Sequence, residues 1–243
     1  MKRAAPSSPE VSDNDADDSD DDDRFDMPEP DPEPPSRPRA QRADAEDTTS
    51  VAASLEEARM DAQLAKAFTR GGSALATKRL MAEYKAMQKA IVGRSLVGIE
   101  VCMPDDANGY HWAASVAPTP NSALAKQLQT YGIKTGNRPL VELELLFDAD
   151  FPFSPPFARV VRPRFAFRTG HITSGGSICI QVLTKDGWTS AYSIEALLVQ
   201  IQALINDSDP PAKLDMNSLH RPYGMDEARQ AFKRVAADHG WRV

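Results

Sequence analysis

Cysteine is scarce in this sequence: two in 243 residues, Cys102 and Cys179. Two thiols cannot build a disulfide framework, so stapled secreted scaffolds are excluded and a reducing compartment, cytosol or nucleus, is expected. No apolar run approaches the roughly 20 residues of a membrane-spanning helix. The opening Met-Lys-Arg turns acidic and proline-rich at once, so no signal peptide is expected. Large apolar side chains are nearly missing from residues 1–50, where only Met1, Val11, Phe25 and Met27 occur. Bases are few there as well: 16 Asp and Glu stand against 6 Lys and Arg, a balance of −10. The whole chain carries −7, which leaves about +3 for the rest. Eight of the 19 prolines fall in the same 50 residues. Such a segment cannot bury enough apolar surface to offset the entropy of ordering, and disorder is expected.

The charge that is present has a pattern. Residues 12–23 form a nearly continuous acidic block. Its two readings are a solubilising tail and an electrostatic tether for a basic partner, with Ser12 and Ser19 as phosphorylation candidates. The Pro-rich residues 28–38 read as a stiff, extended linker. Helical signals begin at Ser54, where Ser54-Leu55-Glu56-Glu57 has capping-box spacing and alanine-rich sequence follows to Phe68. Gly71-Gly72 interrupt, and Ser73 can cap a second helix to about Ala90. Its apolar stripe is Leu80, Tyr84, Met87 and Ile91.

Strand signals follow at Val97–Met103, Tyr110–Val116, Val141–Phe147 and Phe157–Val161. The third has a clear period of two. The intervening Ala117–Pro139 reads as a long loop. Cys102, on the first strand, is expected in the core. After an irregular stretch from Pro163 to Tyr192, Ser193 caps a strongly apolar helix with Ile194, Leu197, Leu198, Ile201, Leu204 and Ile205 on one stripe. Asp226 can cap a last helix. The order predicts an α+β fold: an N-terminal helix, a four-stranded antiparallel meander, a long active-site loop and C-terminal helices. Three segments are expected: an acidic and Pro-rich tail over 1–50, a helical extension or linker over 51–72, and a catalytic domain over 73–243.

Chemistry is expected on the irregular stretch, because loops held by a rigid scaffold carry function. It holds His171, three glycines (Gly170, Gly175, Gly176) and Cys179. By composition and spacing alone Cys179 is ambiguous, since free cysteine is also among the most buried residue types. Cys179 and His171 are too few ligands for a structural zinc site, and a hydrolase would need a third oriented partner.

The order of motifs separates these readings. Phe151-Pro-Phe-Ser-Pro-Pro156, Gly176-Ser-Ile-Cys179, Gly187-Trp-Thr-Ser-Ala191 and Tyr110-His-Trp112 resemble motifs of the ubiquitin-conjugating enzymes and stand in that family's chain order. Arg164–His171 and Gly187–Ile194 resemble the Q-type branch of that family. The resemblance spans about 170 residues, from Ser73 to the C-terminus. It implies that Cys179 accepts ubiquitin, or a ubiquitin-like modifier, as a thioester from an activating enzyme. The modifier then passes to a lysine of a substrate protein, with or without a ubiquitin ligase. The family's histidine-proline-asparagine triplet reads Thr169-Gly170-His171 here, so His171 is the candidate donor to the oxyanion or to the loop. Asp209, after the long helix, is the candidate orienter of the incoming lysine. Phe153, Ser190 and Ala191 fall where the family presents side chains to ligases, although Ser190 replaces a proline. Lys78 and Arg79 lie on the helix that meets activating enzyme and ligase. Trp188 is expected to pack beneath the active-site loop. No cofactor or metal is implied, and neither a membrane nor nucleic acid is expected as a partner. The competing reading is a catalytically silent binding module of the same fold.

Overall fold

The computed structural model describes residues 40–69 and 72–243, with side chains from Val51 onward. Expectations for residues 1–39 lie outside the described residues. The elements are α1 (Ala40–Ala67), α2 (Ala74–Val92), β1 (Ile99–Cys102), β2 (His111–Val116), α3 (Ala123–Thr135), β3 (Val141–Leu146), β4 (Phe157–Arg162), a 3-10 turn (Gln181–Leu183), α4 (Ile194–Asp207) and α5 (Met225–His239).

The four strands form one antiparallel meander in chain order. Alternation decides which face is buried. Trp112, Ala114 and Val116 on β2, with Val141, Leu143 and Leu145 on β3, point into the core, and α2 and α4 lie over it. Ser73 caps α2: its Oγ accepts from Ala76 N at 3.1 Å. Ser193 caps α4 through the Ala196 N–H, also at 3.1 Å. α4 buries Ile194, Leu197, Leu198, Ile201 and Ile205, and each full burial contributes about 1.5–3 kcal/mol. A chain of aromatic edges runs through this core. Tyr84, Trp112, Phe147 and Phe151 meet in turn at centroid distances of 5.3, 4.9 and 5.1 Å. Phe151 then meets Trp188 at 6.2 Å, below the loop that leads into α4.

The structure differs from the sequence-based expectation in four places. α1 begins at Ala40 rather than Ser54; Ala40, Gln41, Arg42, Ala43, Ala45 and Glu46 are good helix formers, although residues 47–51 are not. Its C-terminal end is packed. Leu64 and Ala67 are fully buried, and Ala67 O accepts from Gly109 N at 2.9 Å. The expected long loop over 117–139 contains α3, capped by Ser122 and closed by left-handed Gly136, with Leu124, Leu128 and Tyr131 buried. Cys102 is exposed, since it occupies a solvent-facing position of β1. The cap of α5 is Gly224 rather than Asp226, with the Glu227 carboxylate accepting from Gly224 N at 3.3 Å.

Candidate active site

The candidate nucleophile sits at the end of a small hairpin that extends the sheet. Residues 176–178 pair with the outer edge of β4: Val160 N donates to Gly176 O at 2.7 Å, and Ile178 N to Ala158 O at 3.2 Å. Across the hairpin, Thr173 N donates to Ser177 O at 2.9 Å and Cys179 N to His171 O at 2.8 Å. The Thr173 and Ser177 hydroxyls are bonded at 2.7 Å inside the hairpin. Cys179 is thus fixed by its own backbone to the carbonyl of His171.

The glycines of this hairpin have a packing reason. Gly176 has φ +93°, and a Cβ there would lie 2.4 Å from the Tyr223 ring. A Cβ on Gly175 would lie 2.3 Å from Glu227 O at the start of α5. The hairpin tip is therefore pressed against the α5 N-terminus. Arg164 locks that contact. Its guanidinium donates to both oxygens of Glu227 at 2.8 and 2.5 Å, to Arg221 O at 3.1 Å and to Pro222 O at 3.2 Å. It also stacks 4.3 Å over the Tyr223 ring. The Arg164 fork holds the Glu227 carboxyl below the usual carboxylate range.

A cavity of about 400 Å³ opens beside the hairpin. Cys179, His171 and Asp209 all line it, together with Phe167, Arg168, Arg234 and Asp238. The structure thus brings the three candidate catalytic residues to one space. Cys179 is half-buried. Burial pushes its thiol above the ordinary value, and Arg164 is engaged by Glu227 rather than by the sulfur. Arg168 leans over the Phe167 ring, 5.1 Å from its centroid.

His171 is exposed, and its imidazole makes no hydrogen bond to the described residues, so its ring is not occupied by the loop backbone. Arg168, Gly170 and His171 all have left-handed backbones, with φ of 59°, 66° and 55°. For a non-glycine residue that conformation costs of order 1–3 kcal/mol and clusters at functional sites.

The expected partner-facing residues do not line this cavity. Phe153 is 71% exposed, and Ser190, Ala191 and Lys78 are exposed. Trp188 is buried, and its Nε1 donates to Pro152 O at 2.8 Å, which ties the Ser190 loop to the Phe153 loop. Arg79 is different: its guanidinium is taken up by internal bonds to Glu83, Ser190 O and Tyr192 O.

Sequence reasoning missed Glu83, Glu227 and the α5 wall of the cavity. The wall was legible as a helix face, since Ala231, Val235 and Asp238 are spaced 4 and 3 apart. The Arg164–Glu227 pair has no such signature, because its members are 63 residues apart, whereas Arg79 and Glu83 stand at the i, i+4 spacing of one helix face.

Residues 137–239 match the family model described as ubiquitin-conjugating enzyme. A human Q-like protein of the ubiquitin-conjugating enzymes is 35% identical over 112 residues, which cover 45% of this chain and 68% of that protein. With the meander, the cysteine hairpin and this relative in place, the chain belongs to the ubiquitin-conjugating enzyme family. Further relatives are of the same Q-type. The human Q1 ubiquitin-conjugating enzyme is 34% identical over 176 residues, covering 70% of this chain and 40% of that protein. A Q-like ubiquitin-conjugating enzyme of Drosophila melanogaster is 31% identical over 168 residues, covering 68% and 52%. The chain therefore spans about half the length of these two relatives or less.

Proposed function

We propose that this protein carries ubiquitin, or a related modifier, as a thioester on Cys179 and transfers it to a lysine of a substrate protein. The observation that carries this reading is the placement of Cys179. The sulfur is half-buried on a hairpin fixed to the sheet, and it lines an open cavity with His171 and Asp209. In the first step the Cys179 thiolate attacks the carbonyl of the modifier's thioester on the activating enzyme. A new C–S bond forms, the old one breaks, and the activating enzyme's thiolate leaves. In the second step a lysine amine attacks the Cys179 thioester. An amide forms, the Cys179 sulfur leaves as thiolate, and the amine's surplus proton goes to solvent or to a nearby base.

The remaining roles follow from the cavity. The free imidazole of His171 donates to the oxyanion of the second step. Asp209 attracts and orients the incoming ammonium. Burial raises the Cys179 thiol above its ordinary value, which favours its neutral form at rest. Phe153, Ser190, Ala191 and Lys78 form the docking face for activating enzyme and ligase. The experiment is a charging reaction with activating enzyme, ATP and ubiquitin, read on a non-reducing gel. A thiol-sensitive adduct is expected in the wild type, none in Cys179→Ala, and a thiol-resistant one in Cys179→Ser. A wild-type chain that never charges would reduce the protein to a silent binding module.

A further inference from the structure

One short segment, residues 190–194, exposes Ser190 and Ala191 and then enters α4; Tyr192 packs on Trp188 at 5.7 Å and bonds Gln200 of α4 at 2.8 Å, and the backbone of the segment is gripped from α2. Arg79 donates from one terminal nitrogen to Ser190 O at 3.0 Å and from the other to Tyr192 O at 3.1 Å. Its Nε donates to Glu83 Oε1 at 2.7 Å, one helical turn along α2. The second Glu83 oxygen accepts from the Ile194 N–H at 3.1 Å. Glu83 is 9% exposed, and each of its two side-chain oxygens is engaged by one of these donors. Tyr192 N donates to Thr189 O at 3.0 Å and closes a turn over residues 189–192. The Arg79–Glu83 pair grips the backbone at three points: within that turn, at its end and just after it.

We propose that Arg79 and Glu83 are positioning residues, a clamp that presents the Ser190–Ala191 turn to the activating enzyme in a docking-ready shape. This rests on the functional reading above. Arg79 then acts through the turn rather than by touching the partner, while its neighbour Lys78, exposed and without a hydrogen bond or ion pair among the described residues, is left for direct contact. The chain needs such a device because Ser190 leaves φ free where a proline would fix it. The Ser190 N–H donates to no described residue, so a proline ring would cost no hydrogen bond there. A serine in the turn and a guanidinium on its carbonyl are thus two halves of one arrangement.

The test measures charging by activating enzyme, ATP and ubiquitin as a function of protein concentration, with iodoacetamide alkylation of Cys179 and amide hydrogen exchange run in parallel. If removing the clamp lowers the docking-ready population to about one-tenth, the KM for this protein rises about tenfold while kcat holds. Arg79→Ala is expected to do this, to speed exchange at the Tyr192 and Ile194 amides, and to leave Cys179 alkylation at the wild-type rate. Arg79→Lys should behave like Arg79→Ala, because one ammonium cannot span two carbonyls and a carboxylate. Ser190→Pro added to Arg79→Ala should return the KM to within about twofold of wild type, since it refixes the turn from within. Unchanged exchange in Arg79→Ala overturns the clamp, and so does a raised KM that Ser190→Pro leaves uncorrected, which would make Arg79 a direct contact. A wild-type chain that never charges overturns the functional reading instead, and the exchange data still decide the clamp.

Discussion

The backbone and the ring of His171 face different demands. The backbone carbonyl anchors Cys179, and φ of 55° places the residue in the left-handed region that His, Asn and Asp tolerate best. The ring remains unbonded at the cavity wall. A substitution can therefore remove the donor without dismantling the hairpin. His171→Ala should leave charging intact and slow single-turnover discharge of the Cys179 thioester to free lysine by about 10²–10³-fold, the usual loss for an oxyanion donor. His171→Asn should recover much of that rate, since asparagine keeps both an N–H donor and the left-handed backbone. Asp209→Asn should slow discharge to lysine less severely and also spare charging. Equal discharge rates in wild type and His171→Ala would leave His171 with its backbone role alone.

Elements, rather than single residues, determine whether the cysteine hairpin stays in place. It is pressed between β4 and α5, and the Arg164–Glu227 fork ties the segment just after β4 to α5. Because Glu227 has a lowered folded-state value, its contribution to stability is complete above the ordinary glutamate range. That contribution disappears as pH falls through the lowered value. Glu227→Gln should lose about 1.5–3 kcal/mol near neutral pH, the range for hydrogen bonds to a charged group, in denaturant unfolding. Its deficit relative to wild type should shrink in strong acid, where the wild-type carboxylate is itself protonated. A deficit that persists undiminished in acid would show that packing, not charge, holds the hairpin to α5.

The same scale explains what the sequence disclosed. α2 and α4 could be read because their apolar stripes are long and their serine caps are local, and β3 because it alternates sharply; the other strands could be read as short apolar runs between turn residues. α3 escaped because its buried stripe is only three large residues, Leu124, Leu128 and Tyr131, flanked by proline, glycine and polar residues that read as loop. The position of Cys102 escaped because a four-residue strand shifts its faces with a one-residue change in register. Cys179 itself could be singled out only through the order of motifs around it. Its exposure, its cavity and its hydrogen bond to His171 depend on Gly175, Gly176, Tyr223 and Glu227 meeting across some 50 residues of chain, and no local pattern announces that.

At the scale of the molecule, residues 47–243 form one unit. The exposed Phe153, Ser190 and Ala191 do not line the Cys179 cavity. The two are connected through Trp188, the Phe151 end of the aromatic chain and the loop that begins at the 3-10 turn after Cys179. The chain holds two free thiols, and only Cys179 opens onto that cavity; Cys102 faces solvent from the sheet. The decisive measurement is tandem mass spectrometry on the stable ester that Cys179→Ser forms with ubiquitin in the charging reaction. The modifier's C-terminal carboxyl should map to the side chain at position 179 and nowhere else. An adduct on any other side chain, or a wild-type adduct that maps to Cys102, would contradict the assignment of this hairpin as the site of transfer.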